Sequence, residues 1–266
     1  MLRQRVITAV IGAPFLIAAI WFGDPWFTLF IAAMALVASL EFYKVVSHSN
    51  IQPVTYFGAA WALLLVLSPH CPYAATTPLL VTSAIVIPLI WLLFRPSKEQ
   101  AFNNWAWTIA GILYIGWMLS YWIDLRSLED GRGWVLWAML ITFASDISAF
   151  FIGRAWGKHS LASGISPGKT WEGAIGGFLT GIIASVIFSI AFSLPLNYWQ
   201  MMLLGGVISI FAQLGDLVES LLKRNAGTKD SGKLLPGHGG ILDRFDSTIF
   251  TGAVAYYIYH CITIVG

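Results

Sequence analysis

Charged residues are scarce in this chain: Asp, Glu, Lys and Arg together make up 11% of its 266 residues. An average soluble domain carries about 25%. Hydrophobic residues reach 58%, and the mean hydropathy is +0.75. This composition excludes an ordinary soluble domain and predicts a protein whose main solvent is lipid. The net charge is only +2 and there is no long basic tail, so we do not expect nucleic acid as a partner.

Cysteine is rare as well. Cys71 and Cys261 have neither C-x-x-C nor metal-ligand spacing, so we expect neither a redox motif nor a zinc site. We interpret both cysteines as inert apolar side chains. The chemistry of the chain must then depend on its few charged residues.

Long apolar runs fill most of the sequence. They are continuously apolar and do not alternate, which favours transmembrane helices over a barrel. At about 20 apolar residues per span, we predict an all-α polytopic membrane bundle of about nine spans, with N-terminal helices in 1–103 and the helices that carry the catalytic loops in 104–266. The predicted spans are 5–22, 26–46, 54–70, 79–94, 104–123, 134–153, 172–193, 198–222 and 247–265.

The positive charges predict an orientation, because Lys and Arg accumulate in short cytoplasmic loops. With the N-terminus inside and the C-terminus outside, only Arg126 and Arg132 lie on the outer side. Two long charged loops, 154–171 and 223–246, then face the cytosol. We therefore expect a multi-pass protein of a bacterial inner (plasma) membrane whose polar substrate arrives from the cytosol. The remaining Lys and Arg residues lie on the cytoplasmic side: Arg3, Arg5, Lys44, Arg95, Lys98, Arg154, Lys158, Lys169, Lys223, Arg224, Lys229, Lys233 and Arg244.

Carboxylates gather at the cytoplasmic ends of the predicted spans, where a charge facing lipid costs a few kcal/mol. We expect them to face the interior of the bundle. Carboxylate oxygens without His or Cys partners suit Mg²⁺. Structural ion pairs, such as Glu219 with Lys223 or Asp243 with Arg244, are the alternative. The carboxylates are Asp146, Glu172, Asp216, Glu219, Asp243 and Asp246.

Basic residues and glycines in the same two loops favour a phosphate ligand. Phosphates are bound by Lys and Arg and by backbone N–H groups that Gly leaves accessible. Gly239 and Gly240 follow His238 directly before the last two carboxylates. Gly168-Lys169-Thr170 looks like the end of a Walker A loop, but the upstream Gly and the preceding strand are missing. We therefore reject a P-loop.

The second loop resembles the signature of the phosphatidate cytidylyltransferases (CDP-diglyceride synthetases). Agreement extends over about 100 residues in motif detail and includes the run from Asp146 to Arg154 and the run from Ser166 to Gly173. We therefore identify the chain as similar to that family. The signature positions are Ser220, Lys223, Arg224, Lys229, Asp230, Gly232, Pro236, His238, Gly239, Gly240, Asp243, Arg244 and Asp246.

The resemblance implies the reaction of CTP with phosphatidate to give CDP-diacylglycerol and pyrophosphate, with Mg²⁺, at a membrane surface. It also implies a homodimer, and a second cation is compatible with the carboxylates. On this basis we predict Asp216, Asp243 and Asp246 as metal ligands, with Glu219 and Ser220 as weaker candidates. His238 is expected to orient the loop or a phosphate. The predicted phosphate- and substrate-binding residues are Lys169, Ser220, Lys223, Arg224, Lys229, Gly239, Gly240 and Arg244.

Two other functions compete with this interpretation. A CTP-dependent lipid kinase would use a similar site but would attack the γ-phosphorus of CTP. A transporter also buries carboxylates, but it is expected to have a midplane site and often an internal repeat. Here the polar residues lie at one face of the predicted bundle, which favours an enzyme.

Overall fold

The computed structural model describes residues 2–94, 100–232 and 239–265, with side chains over 12–94, 100–232 and 239–262. In these residues a short antiparallel hairpin of β1 (Ser160–Ala162) and β2 (Ser166–Thr170) is the sole sheet. The all-α prediction is otherwise confirmed. The helices are α1 (Leu2–Phe22), α2 (Trp26–Ser47), α3 (Thr55–Leu67), α4 (Thr76–Leu93), α5 (Ala101–Gly111), α6 (Met118–Ser127), α7 (Gly131–Trp156), α8 (Trp171–Ala191), α9 (Tyr198–Asn225) and α10 (Leu242–Val265).

Every predicted span overlaps one of these helices. Within the described part of the chain, 6 helical segments are long and apolar enough to cross a bilayer, so the membrane character is confirmed. The described side chains of α1 begin at Gly12 and form the apolar stretch Gly12–Phe22, and α3, with 13 residues, is shorter than a span requires. A total of nine crossings therefore stays a prediction. The six segments are α2, α4, the run from α5 through α6, α7, α8 and α9.

The chain packs into two compact units. The first comprises Met1–Asp124 and Leu222–Arg244, and the second comprises Leu125–Leu221 and Phe245–Gly266. The unit boundaries fall inside α6, α9 and α10, so each unit contains segments that are distant in sequence. The sequence predicted a division after residue 103, with the catalytic loops in the second part. The two packing units do not test where the catalytic loops lie, so this division stays a prediction.

Tyr43 on α2 fixes the packing of the first unit. Its side chain is fully buried, and its hydroxyl donates a hydrogen bond to the carbonyl of Thr108 at 2.7 Å. Gly58 and Gly111 provide the space, because a Cβ at either position would overlap the tyrosine ring. The contact therefore ties α2 to α3 and α5. The chain continues from α5 into a π-helical turn over Ile112–Trp117.

Small residues bring the helices of the second unit close together. A Cβ on Gly177 would come within 2.8 Å of the Ser145 carbonyl of α7. A Cβ on Gly181 would overlap the Ser209 side chain of α9. The glycine pattern of α8 therefore serves close helix contact, as small residues do in membrane bundles. This packing brings α7, α8 and the part of α9 up to Leu221 together in the second unit.

Candidate active site

A cavity of about 490 Å³ lies in the second unit between the β1–β2 hairpin and α7, α8 and α9. This volume is within the range of small-molecule sites, roughly 300–1,000 Å³. Ala149, Phe150 and Leu161 contribute an apolar part of the wall. The cavity can therefore accept a ligand with both charged and apolar portions. Its polar and charged lining includes Asp146, Arg154, Ser166, Lys169, Gln213 and Asp216.

The hairpin is attached to the start of α8 by side-chain hydrogen bonds. Thr170 is the N-cap residue, and its hydroxyl accepts from the backbone N–H of Gly173 at 3.1 Å. Glu172 accepts from the backbone N–H groups of Lys158 and His159 and pairs with Nδ1 of His159 at 2.6 Å. Such caps satisfy N–H groups that the first helical turn leaves open. The end of β2 is thereby held at the wall of the cavity.

Lys169, the residue before that cap, forms an ion pair with Asp216 of α9. The distance from Nζ to Oδ2 is 2.8 Å, and the side chains are 23% and 37% exposed. Ser220, one turn further along α9, donates to Asp216 Oδ1 in a long contact of 3.4 Å. The pair joins Lys169, a predicted phosphate-binding residue, to Asp216, a predicted metal ligand. Lys169 thus offsets the charge of Asp216.

Further carboxylates lie close to Asp216. Asp246 of α10 experiences repulsion from Asp216, Glu219 and Asp146, and Glu219 is fully buried. The Asp246 Oδ1 atom accepts from the backbone N–H of Ser247 at 2.7 Å. Carboxylates that share a small space destabilise one another unless a cation compensates for their charge. The cluster is therefore a place where positive charge binds favourably.

The donor atoms of this cluster are compatible with Mg²⁺. This ion usually takes one or two protein carboxylates and completes its shell with water and phosphate oxygens. Asp216 and Asp246 offer two such carboxylates in the second unit. Among the side chains described in residues 12–94, 100–232 and 239–262, no group of three acidic, His or Cys residues is already arranged as a metal-binding cluster. The residues present fit a cation shared between protein and bound phosphate.

Asp243, at the start of α10, belongs to a network in the first unit. Its Oδ1 accepts from Lys223 Nζ at 2.7 Å, and its Oδ2 accepts from the backbone N–H groups of Ser231 at 3.0 Å and Gly240 at 2.8 Å. Burial opposes ionisation of Asp243, but these donors outweigh it and hold the pKa of the carboxyl below its ordinary value. Asp243 therefore holds the Lys223 side chain and the backbone at Ser231 and Gly240 together.

Glu41 of α2 enters the same network and was missing from the predicted site. It is 8% exposed. Its Oε2 accepts from the backbone N–H of Leu242 at 2.9 Å and from the hydroxyl of Ser231 at 3.3 Å. The signal was present in the sequence, since a carboxylate within an apolar span is expensive and usually functional. The sequence interpretation considered carboxylates near the two charged loops and overlooked this one.

Comparisons with known proteins identify the family of the chain. The family model described as "Cytidylyltransferase family" matches residues 3–262. The chain belongs to the cytidylyltransferase family. It is 35% identical to the phosphatidate cytidylyltransferase of Staphylococcus haemolyticus, over 94% of this chain and 95% of the relative. It is 33% identical to that of Bacillus subtilis, over 97% of each chain, and 34% identical to that of Synechocystis, over 97% and 96%. The relationship therefore covers both units.

Membership in this family directs attention to the remaining predicted residues. Arg224, Lys229 and Arg244 are exposed, and no described contact assigns them to a ligand. Gly239 has φ of +84°, and a Cβ there would come within 2.6 Å of Asp243 Oδ2. Only glycine fits such a position without strain. His238 lies outside the described residues.

Asp243 forms an ion pair with Lys223, with 2.7 Å between Oδ1 and Nζ. The pairs that the sequence suggested as an alternative, Glu219 with Lys223 and Asp243 with Arg244, stay predictions. Lys223 comes from the end of α9 and Asp243 from the start of α10. Each unit therefore contains a lysine–aspartate pair, Lys223 with Asp243 in the first and Lys169 with Asp216 in the second.

Proposed function

We propose that the chain is a phosphatidate cytidylyltransferase, which converts CTP and phosphatidate to CDP-diacylglycerol and pyrophosphate. The observation that carries this proposal is the end-to-end similarity to relatives of that name, which extends over 94–97% of this chain in bacterial and cyanobacterial proteins. The cavity in the second unit supports it, because its wall combines lysine, arginine and carboxylates with apolar side chains.

In this reaction an ionised phosphatidate oxygen attacks the α-phosphorus of CTP. A new P–O bond forms, the bond from the α-phosphorus to the bridging oxygen breaks, and pyrophosphate leaves with the electron pair. Because the nucleophile is already an anion near neutral pH, no strong general base is required. The residues of the chain contribute mainly by positioning the substrates and neutralising phosphate charge. Lys169 is the first candidate for this role, since its ammonium already lies in the cavity wall.

We assign Asp216 and Asp246 to Mg²⁺, with Asp243 as the third carboxylate expected from the signature. The bound ion would neutralise the polyphosphate and the developing charge on the leaving group. Lys223, Arg224, Lys229 and Arg244 are assigned to the substrate phosphates, and Gly239 and Gly240 to backbone contacts with them. Ser220 supports the Asp216 carboxylate. A second cation in the same carboxylate cluster belongs to this proposal.

The proposed enzyme works at the cytosolic face of a bacterial plasma membrane as a homodimer, with its N-terminus inside and its C-terminus outside. The charge distribution supports this orientation, because the loops 154–171 and 223–246 contain most of the Lys and Arg residues after residue 100. CTP is a cytosolic nucleotide, and the lipid substrate is confined to the bilayer. The site must therefore be reached from both phases.

The reaction can be tested with CTP labelled at either the α- or the γ-phosphorus. Purified protein in phosphatidate-containing micelles should transfer the α-label to lipid and release the γ-label as pyrophosphate. A CTP-dependent lipid kinase would instead transfer the γ-label and release CDP. Appearance of the γ-label in lipid, or of no label in lipid while the protein is folded, would contradict the proposed function.

A further inference from the structure

We propose that Glu41 is a positioning residue for the reaction, acting through the segments that carry Asp243. This inference rests on the proposed function. Glu41 lies on α2, about four turns along the helix at 3.6 residues per turn, and is 8% exposed. A carboxylate buried in an apolar helix costs several kcal/mol unless donors satisfy it. The hydrogen-bond donors to Glu41 therefore indicate the role of this carboxylate.

Those partners come from the two described segments on either side of residues 233–238. From the first segment, Ser231 donates its hydroxyl to Glu41 Oε2 at 3.3 Å. From the second, Leu242 donates its backbone N–H to the same atom at 2.9 Å. Leu242 is the first residue of α10, so its N–H has no partner within the helix. One carboxylate thus caps α10 and holds the preceding segment against it.

Glycines allow this close approach. A Cβ at Gly232 would overlap Glu41 Oε1, and a Cβ at Gly240 would overlap Oε2. Both glycines are positions of the signature. The backbone of each segment therefore lies directly against the glutamate carboxylate. The contact with Glu41 therefore explains why both positions are glycine without invoking a bound ligand.

The same two segments also bind Asp243. Its Oδ2 accepts from the backbone N–H groups of Ser231 and Gly240. Glu41 and Asp243 therefore accept hydrogen bonds from neighbouring donors. Glu41 accepts from the Ser231 hydroxyl and the Leu242 N–H. Asp243 accepts from the N–H groups of Ser231 and Gly240. If Glu41 loses its charge, its two hydrogen bonds weaken, because hydrogen bonds to an ionised acceptor are roughly twice as strong as neutral ones. The donors that orient Asp243 then lose part of their support.

The test uses Glu41→Gln, which keeps the shape of the side chain and removes its charge. We expect kcat to fall about 10- to 100-fold per folded molecule, on the scale of lost positioning interactions. The Mg²⁺ concentration for half-maximal rate should rise, while KM for CTP changes less than threefold. Glu41→Asp shortens the side chain by one methylene but keeps the charged acceptor, so it should recover part of kcat. Ser39→Ala is the matched control on the same helix, since Ser39 is also buried and its hydroxyl has no hydrogen-bond partner among the described residues.

Folding and function are separated by measuring thermal unfolding and radioactive product formation on the same samples. Full activity of Glu41→Gln would overturn the proposal. A loss that matches the folded fraction, with unchanged kcat and Mg²⁺ dependence per folded molecule, would also overturn it. If Glu41→Gln does not fold, Ser231→Ala decides the question, because it removes only one of the two bonds to Glu41; wild-type kinetics in that variant would refute the inference. Absence of CDP-diacylglycerol from the wild-type protein would instead refute the proposed function.

Discussion

Replacing Lys169 by Met tests the ion pair at the centre of the second unit. Methionine retains an unbranched side chain of similar length and removes the charge. In the structure, the ammonium lies 2.8 Å from Asp216 Oδ2. The variant should therefore have two opposite effects, because Lys169 is proposed both to bind CTP phosphate and to occupy a metal ligand when no substrate is present.

The expected magnitude follows from Coulomb's law. Two unit charges at this separation attract by about 6 kcal/mol at an effective dielectric constant near 20 and by about 1.5 kcal/mol in water. Asp216 is 37% exposed, so screening places the value in the lower part of this range, about 1.5–3 kcal/mol. A divalent cation that no longer has to displace the ammonium should then bind about 10- to 150-fold more tightly.

Two measurements separate these effects. Binding of Mn²⁺ to the substrate-free protein, followed by electron paramagnetic resonance, should strengthen by about tenfold or more in Lys169→Met. Pyrophosphate release should show a raised KM for CTP, because one phosphate ligand is lost. Lys158→Met is the control, since Lys158 is exposed on the approach to the same hairpin. Mn²⁺ binding that is unchanged or weaker in Lys169→Met would refute the competition between lysine and metal.

Three further predictions concern the metal, the lipid phosphate and the topology. Asp246→Asn should lower turnover at least about 100-fold, or about 2.7 kcal/mol at the transition state, with little change in thermal unfolding; a near-normal rate with an unchanged Mg²⁺ dependence would remove Asp246 from the metal site. Arg224→Lys should raise KM for phosphatidate about tenfold, since lysine cannot form the bidentate phosphate contact of arginine. Full activity of both this variant and Arg224→Ala would leave Arg224 as a topological anchor. In a background without native cysteines, an impermeant thiol reagent should label Ser163→Cys from the cytosolic side alone and Glu129→Cys from the outside alone; the reverse pattern would invert the proposed orientation.

The helices could be predicted from the sequence because long, continuous apolar runs are typical of helices that lie in lipid. The nine predicted runs coincide with helices, and the glycines of α8 lie at close helix contacts. The length of a helix is predicted less accurately. The predicted span at 54–70 consists of the 13-residue α3 and a short 3₁₀ turn, and the residues of that turn, Ser68–His70, are not apolar.

The candidate site could be predicted as a set of residues but not as a set of partners. Helical spacing predicts that Asp216 and Glu219 share one face of α9, and the cost of exposing charge to lipid predicts that they face the protein interior. The pairing of Lys223 with Asp243, and of Lys169 with Asp216, depends on which helices lie side by side, and periodicity within a single helix contains no such information. The β1–β2 hairpin was missed because its strands have 3 and 5 residues and lack clear alternation.

The long separation between Glu41 and its partners has a consequence for biosynthesis. Ser231 and Leu242 follow Glu41 by 190 and 201 residues. At about 5–20 residues per second, a ribosome needs roughly 10–40 s to make that stretch. During this interval α2 must reside in the membrane with a carboxylate whose final donors do not yet exist. The nascent chain therefore passes through a stage in which Glu41 lacks the two donors that it has in the finished fold, so the network closes only after most of the chain has been made.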